Sequence, residues 1–247
     1  MSGHSKWSTI KHAKGIADAK RGQLFTKFIK EISIAAKMGG GDPNANPRLR
    51  TAILKARAAS MPKDNIERAI KKGTGETGAA NYEELVYEGY AAGGVAVLVE
   101  VLTDNKNRAA ANVRNIFNKT GGNLGTSGSV SRMFERKGVI EYDAEKVSED
   151  EVMEVALEAG ADDIVNEDGV ITVTTQPASF DGVLEALQGK GYESLSAGVN
   201  MVPMAYTAVD KDTASKVQKL LDRLEEDEDV QNVYSTVEYP DDFDPEA

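Results

Sequence analysis

The chain of 247 residues carries 40 acidic and 29 basic side chains, a net charge of −11, with 40% hydrophobic and 28% charged residues. That balance suits a soluble chain of one large or two to three small domains. Cysteine is absent, which excludes disulfides, thiolate metal sites and thiol nucleophiles. No apolar run approaches a membrane span or the core of a signal peptide, and Ser2 is not the glycine that N-myristoylation requires. A cytoplasmic protein without a membrane partner is therefore expected.

The charge is sharply divided. Residues 2–73 hold sixteen Lys and Arg against five acids, a charge of +11, and the remainder of the chain carries −22. Solubility alone requires neither that excess nor its segregation, so the segment is expected to bind a polyanion, most simply nucleic acid. It opens with His4, Lys6 and Trp7, continues through Lys11, His12 and Lys14, and reaches a helix over Asp18 to Lys37. Leu24, Phe25, Phe28, Ile29, Ile32 and Ala36 form its apolar stripe, while Lys20, Lys27, Lys30 and Lys37 project to the other side. Arg21 adds a further cation at the start. Gly39 to Gly41 and Pro43 stop it.

A second helix, Pro47 to Ala59, buries Leu49, Ala52, Ile53 and Ala56 and carries Arg48, Arg50, Lys55 and Arg57 on its rims. A third begins after Met61-Pro62 and runs to Lys72, with Gly73 as its expected cap. Lys63, Asn65 and Arg68 near its start are candidates to touch bases. Together these helices predict a small cation-coated bundle.

Gly3-His4-Ser5-Lys6-Trp7, Ile10-Lys11, Lys20-Arg21-Gly22 and Met61-Pro62-Lys63-Asp64-Asn65-Ile66 resemble the signature of the YebC/PmpR family. The likeness continues through Tyr87-Glu88-Gly89-Tyr90 and the Gly-rich run from Gly121 to Val130, so it spans essentially the whole chain. Bacterial members of that family are called transcriptional regulators, and a mitochondrial relative is a translational activator of cytochrome oxidase subunit I. The resemblance implies three lobes and a role in gene expression.

Thr74 to Asn81 is small and polar and reads as a linker and hinge. Strands are expected over Glu84 to Tyr90 and Val95 to Leu102. Thr103-Asp104-Asn105 follows as a helix N-cap signal, and a helix over Lys106 to Lys119 buries Ala109, Val113, Ile116 and Phe117. The next loop, with Gly121, Gly122, Gly125 and Gly128, has the composition of a backbone phosphate cradle, although a mobile surface loop has the same composition. From Gly138 the pattern reads β-α-β-β-α-β: strands Val139 to Tyr142, Asp163 to Val165, Val170 to Thr174 and one after Tyr192, with helices Ser148 to Ala159 and Ala178 to Gln188. Asp168-Gly169 is a hairpin turn, and Ser148 with Glu151 is a capping box. After Pro203 come a strand around Ala205 to Val209, a helix Thr213 to Leu224 and a strand Val230 to Val237. The acidic runs Glu225 to Asp229 and Asp241 to Glu246 read as a solvated face and a frayed tail.

The expected fold is thus multi-domain α+β. Residues 1–75 form a basic three-helix bundle, 81–136 with 204–247 a discontinuous α/β domain, and 137–203 an inserted ferredoxin-like domain. No cofactor, metal or small-molecule substrate is expected, and catalysis is not, because the only histidines, His4 and His12, lie in the acid-poor segment. They read as phosphate contacts or as solvent-facing rings. The chain is therefore a non-catalytic nucleic-acid-binding regulator in this reading. Two targets remain open: DNA in transcription, or ribosomal or transfer RNA and the ribosome in translation. A basic arm bearing His4, Lys6 and Trp7 suits folded RNA as well as DNA.

Overall fold

The computed structural model describes residues 18–77, 81–167 and 169–243. Its fold is α+β, and it divides into two compact units, one containing residues 133–205 and the other containing 16–132 with 206–247. Among the described residues no helix is long and apolar enough to cross a membrane.

The larger unit begins with α1 (Asp18–Gly39), α2 (Pro47–Ala58) and α3 (Lys63–Thr74). Ile32 and Ala36 meet Leu49, Ala52, Ile53 and Ala56 of α2 and Ile66 and Ala69 of α3, with Phe25, Phe28 and Ile29 half-buried at the margin of that core. Asn46 ties the first corner. Its Oδ1 accepts from Leu49 N at 3.1 Å as the cap of α2, and its Nδ2 donates to Ala35 O and Gly40 O, both at 2.9 Å. The end of α3 differs from expectation. Gly75, with φ +88°, is the left-handed cap, whereas Gly73 lies inside the helix, where a Cβ would come within 2.2 Å of Ser33 O. Gly73 serves close helix approach rather than termination.

Next comes a sheet in the order β3-β1-β2-β9, all antiparallel. Its strands are β1 (Glu83–Tyr90), β2 (Ala96–Thr103), β3 (Asn123–Leu124) and β9 (Val230–Ser235). Helices α4 (Lys106–Lys119) and α7 (Lys211–Glu225) cover one face. Val97, Val99 and Val101 of β2 meet Ala109, Val113 and Phe117 of α4 and Val217, Leu220 and Leu224 of α7 there. Side chains cap both helices: Asn105 accepts from Arg108 N at 3.0 Å, and Asp210 from Thr213 N at 2.8 Å. Short strands β8 (Thr207–Ala208) and β10 (Val237–Glu238) pair in parallel.

In the smaller unit, β4 (Phe134–Asp143), β5 (Asp163–Glu167), β6 (Val170–Thr175) and β7 (Ser196–Pro203) form an antiparallel sheet ordered β5-β6-β4-β7. With α5 (Glu149–Glu158) and α6 (Phe180–Gly189) this is the ferredoxin-like arrangement. Its core joins Ile140, Tyr142, Ile171 and Val173 to Val152, Ala156, Phe180, Val183 and Leu187. β4 starts five residues before the expected Val139, because its first half pairs with β7 from Phe134↔Pro203 onward. The capping box is also corrected: Ser148 makes no side-chain cap bond, and Glu151 instead accepts from Tyr192 OH at 3.2 Å.

Candidate nucleic-acid interface

The bundle's cations sort into two sets. The first is committed to the protein itself. α1 is buried nearly all round from Lys30 to Ala36, because the other bundle helices cover one side and the α/β body covers the other. Lys30 is only 8% exposed. Its Nζ donates to Asp229 Oδ1 at 2.7 Å and to Glu228 O at 2.8 Å, and Lys27 Nζ donates to Glu225 O. These contacts correct two expectations: Lys27 and Lys30 do not form an open cationic face, and Glu225 to Asp229 is not simply a solvated face. The expected hinge is likewise bridged by polar ties.

Asp229 is 2% exposed and also accepts from Arg108 Nε at 3.0 Å and Nη2 at 2.8 Å. Burial would raise its pKa, but the bonds from Lys30 and Arg108 outweigh that cost and hold the carboxyl below its usual value. Arg48 is spent similarly. Its Nε donates to Glu31 at 2.8 Å, its Nη2 to the same carboxylate at 3.1 Å, and Nη2 also reaches Glu84 of β1. Burial alone would depress the Arg48 pKa, but the two carboxylates raise it above the ordinary guanidinium value. Arg50 Nη1 donates to Pro43 O at 3.4 Å.

The second set faces solvent: Lys37 on α1, Arg57 on α2, and Lys63, Arg68 and Lys71 on α3. Here Arg68 Nε donates to Asp64 O at 3.2 Å and its Nη2 to Asn65 Oδ1, which aims the guanidinium along the helix surface. Lys63 Nζ lies 3.6 Å from Glu67. Asn65, Arg68 and Lys72 line an open groove floored by Ile29 and Ala69. Lys72 Nζ donates to Tyr82 OH at 3.3 Å and lies 5.3 Å from the centre of its ring. The groove therefore offers a fork of guanidinium donors, an ammonium and an apolar floor, a combination that can hold a phosphate beside the flat face of a base or sugar. Sequence reading singled out Lys63, Asn65 and Arg68 but not Lys72 or Tyr82. The Lys71-Lys72 pair at the end of an amphipathic helix was the available signal.

His4, Lys6, Trp7, Lys11, His12 and Lys14 lie outside the described residues. Lys20 and Arg21 fall in the first turn of α1, with their side chains likewise outside the description.

The Gly-rich loop is neither a free phosphate cradle nor a loose connector. The Glu88 carboxylate, 5% exposed, accepts from the backbone N–H groups of Gly128, Val130 and Ser131, each at 2.7 Å. Burial opposes ionisation of Glu88, but these donors prevail and hold its pKa below the usual value. Gly125 N donates to Glu88 O at 2.7 Å, and Tyr90 OH donates to Ser129 O at 3.1 Å. Gly122 sits where a Cβ would approach Tyr90 O to 2.7 Å, and Gly121 and Gly128 take left-handed φ of +78° and +85°. The turn from Gly128 to Ser131 thus closes on a carboxylate of the same chain, which takes the place expected for a phosphate.

A basic helical module tied to an acidic α/β body, with a ferredoxin-like unit inserted in that body, defines a multi-lobed α+β protein. Residues 5–76 match the family model described as TACO1/YebC protein N-terminal domain, and residues 82–237 match TACO1/YebC second and third domain. A probable transcriptional regulatory protein of Treponema denticola is 76% identical over 243 residues, covering 98% of each chain. Another from Trichlorobacter lovleyi is 60% identical over 235 residues, covering 95% of each. A crystal structure of a conserved hypothetical protein from Aquifex aeolicus superposes with a TM-score of 0.88 at 49% identity, covering 96% of this chain and 98% of that one. The chain belongs to the TACO1/YebC family, as the separated motifs of its sequence indicated.

Proposed function

We propose that this protein is a nucleic-acid-binding regulator of gene expression that acts in transcription, makes its contact through the helical bundle and performs no catalytic step. The observation that carries the reading is the groove of α3, where Arg68 and Lys72 flank an apolar floor in a chain whose net charge is −11. Relatives named probable transcriptional regulatory protein match this chain along nearly its whole length, which supports transcription as the process. The nucleic acid enters along the solvent-facing cations Lys37, Arg57, Lys63, Arg68 and Lys71, while Lys27, Lys30 and Arg48 hold the bundle in place. A cytoplasmic location accords with this role.

The test is binding of fluorescent duplex DNA by the full chain across a salt series, with a structured RNA in parallel. Arg68→Ala with Lys72→Ala is expected to weaken binding and to flatten the slope of log affinity against log salt by about 0.9 per lost contact on duplex DNA. Unchanged affinity and slope would overturn the assignment of the groove. Preference for the RNA would move the reading from transcription to translation.

A further inference from the structure

A second cationic face lies on the acidic body. Residues 105–134 contain five Lys and Arg and no Asp or Glu, in a chain with 40 acids. Helix α4 occupies the first half of that stretch, and its three sides have separate uses. Ala109, Val113 and Phe117 enter the core. Arg108 and Asn112 turn to one flank, where Asp229 and Asp227 accept from them. At 100° per residue, Arg114, Asn107, Asn118, Ala111 and Asn115 fall in order round the solvent side, and Lys119 ends that arc in the last turn, above the flank of Arg108 and Asn112. Apart from Ala111, this arc is made of cations and amides, and all six residues are exposed. Among the described residues Arg114, Asn115, Asn118 and Lys119 make no side-chain hydrogen bond or ion pair. Near Arg114 stands half-buried Tyr87; burial raises the pKa of its hydroxyl, while the fields of Arg114 and Lys106 oppose that rise.

We propose that this arc of α4 is a second contact for the phosphodiester backbone of the nucleic acid held by the bundle, a proposal that rests on the function given above. Charge complementarity selects the occupant. An acidic protein that leaves two unpaired cations and three amides on one rigid helix presents a surface that attracts a polyanion and repels its own kind of acidic surface. Arg114 and Lys119 take phosphates, and the amides of Asn107, Asn115 and Asn118 supply donors and acceptors to sugar or base edges between them. The helix is well anchored for the purpose, by its apolar face, by Arg108 on Asp229, and by Lys106 Nζ on Glu83 at 2.5 Å.

The experiment compares the full chain with Arg114→Ala/Lys119→Ala and, separately, with Arg68→Ala/Lys72→Ala, on a duplex DNA and on a hairpin RNA of equal length. Both variants are first shown to melt with the native chain. Loss of affinity in the α4 variant, with the salt slope reduced by about 1.8 on duplex DNA, is the expected result. The probe on which the loss is larger identifies the natural polymer. Native affinity and slope in the α4 variant, while the α3 variant is weakened, would overturn this proposal and leave the bundle reading standing. Absence of binding by the native chain to either probe would remove both.

Discussion

Replacing Asp229 with alanine removes the carboxylate on which α1, α4 and the turn before β9 converge. Its partners fare differently. Arg108 is nearly half exposed and keeps Asp104 at 2.8 Å, so it loses little. The Lys30 ammonium is left buried with only the Glu228 carbonyl at 2.8 Å to accept from it. Breaking a buried pair by deleting one partner costs about 3–5 kcal/mol, chiefly because the remaining charge is desolvated without compensation. Urea melts of Asp229→Ala should therefore show a loss of that order. The double variant Lys30→Met/Asp229→Leu should recover much of it, since an apolar pair of similar volume carries no desolvation penalty. Acid titration gives an independent sign. Because the folded-state pKa of Asp229 is depressed, its contribution is present above the ordinary aspartate value and is lost as pH falls through the folded value. The native chain should consequently lose more stability on acidification than the double variant. A single variant within about 1 kcal/mol of native would refute the view that this pair fixes the bundle to the body.

Glu88→Ala should orphan the backbone donors of Gly128, Val130 and Ser131, costing about 3 kcal/mol or more, and their amide exchange should accelerate beyond that of β2; unchanged exchange would show that the loop holds itself. Gly73→Ala should lower Tm by the equivalent of about 1–3 kcal/mol despite alanine's better helix propensity, because the new methyl meets Ser33 O. A raised Tm would contradict the close approach of α1 and α3.

Elements with a single local cause were legible in the sequence. Short β-branched and apolar runs on either side of Gly169 define β5 and β6, and the Thr103-Asp104-Asn105 cap signal places the start of α4, with Asn105 as the residue that caps it. What escaped depended on partners distant in sequence. The stripe of Lys27, Lys30 and Lys37 looked solvent-facing because lysine usually is, yet it also carries Ile34, which is 5% exposed, and that apolar residue among cations marked a second packing surface. The glycines after α4 had the composition of a phosphate cradle or of a mobile loop, and the turn proved to be neither. Nothing local indicated that its anion was a glutamate forty residues earlier. Residues 134–138, Phe-Glu-Arg-Lys-Gly, have no strand-like alternation of their own and become strand only because β7 lies alongside them. In α4 the apolar face drew notice first, and the want of acids on its far flank is visible only against the composition of the whole body.

Where chain 133–205 leaves the body and returns to it, Met204 N donates to Met133 O at 2.9 Å, and Phe134 stands opposite Pro203. Once folded, that unit therefore brings its two ends together. The sheet of the body must join Val101 of β2 to Val230 of β9 across the whole intervening chain, a separation that slows folding. A prefolded insert acts as a clasp that shortens this search by more than half of its contour, and each halving of a loop saves about 0.6 kcal/mol of closure entropy. Assembly thus has a preferred order: the ferredoxin-like unit first, from contacts all within itself, and then β9 onto β2 across a loop already drawn shut. Substitutions that slow folding of the insert, such as a loss of volume at Phe180 or Val173 in its core, should delay formation of a sheet to which neither residue belongs.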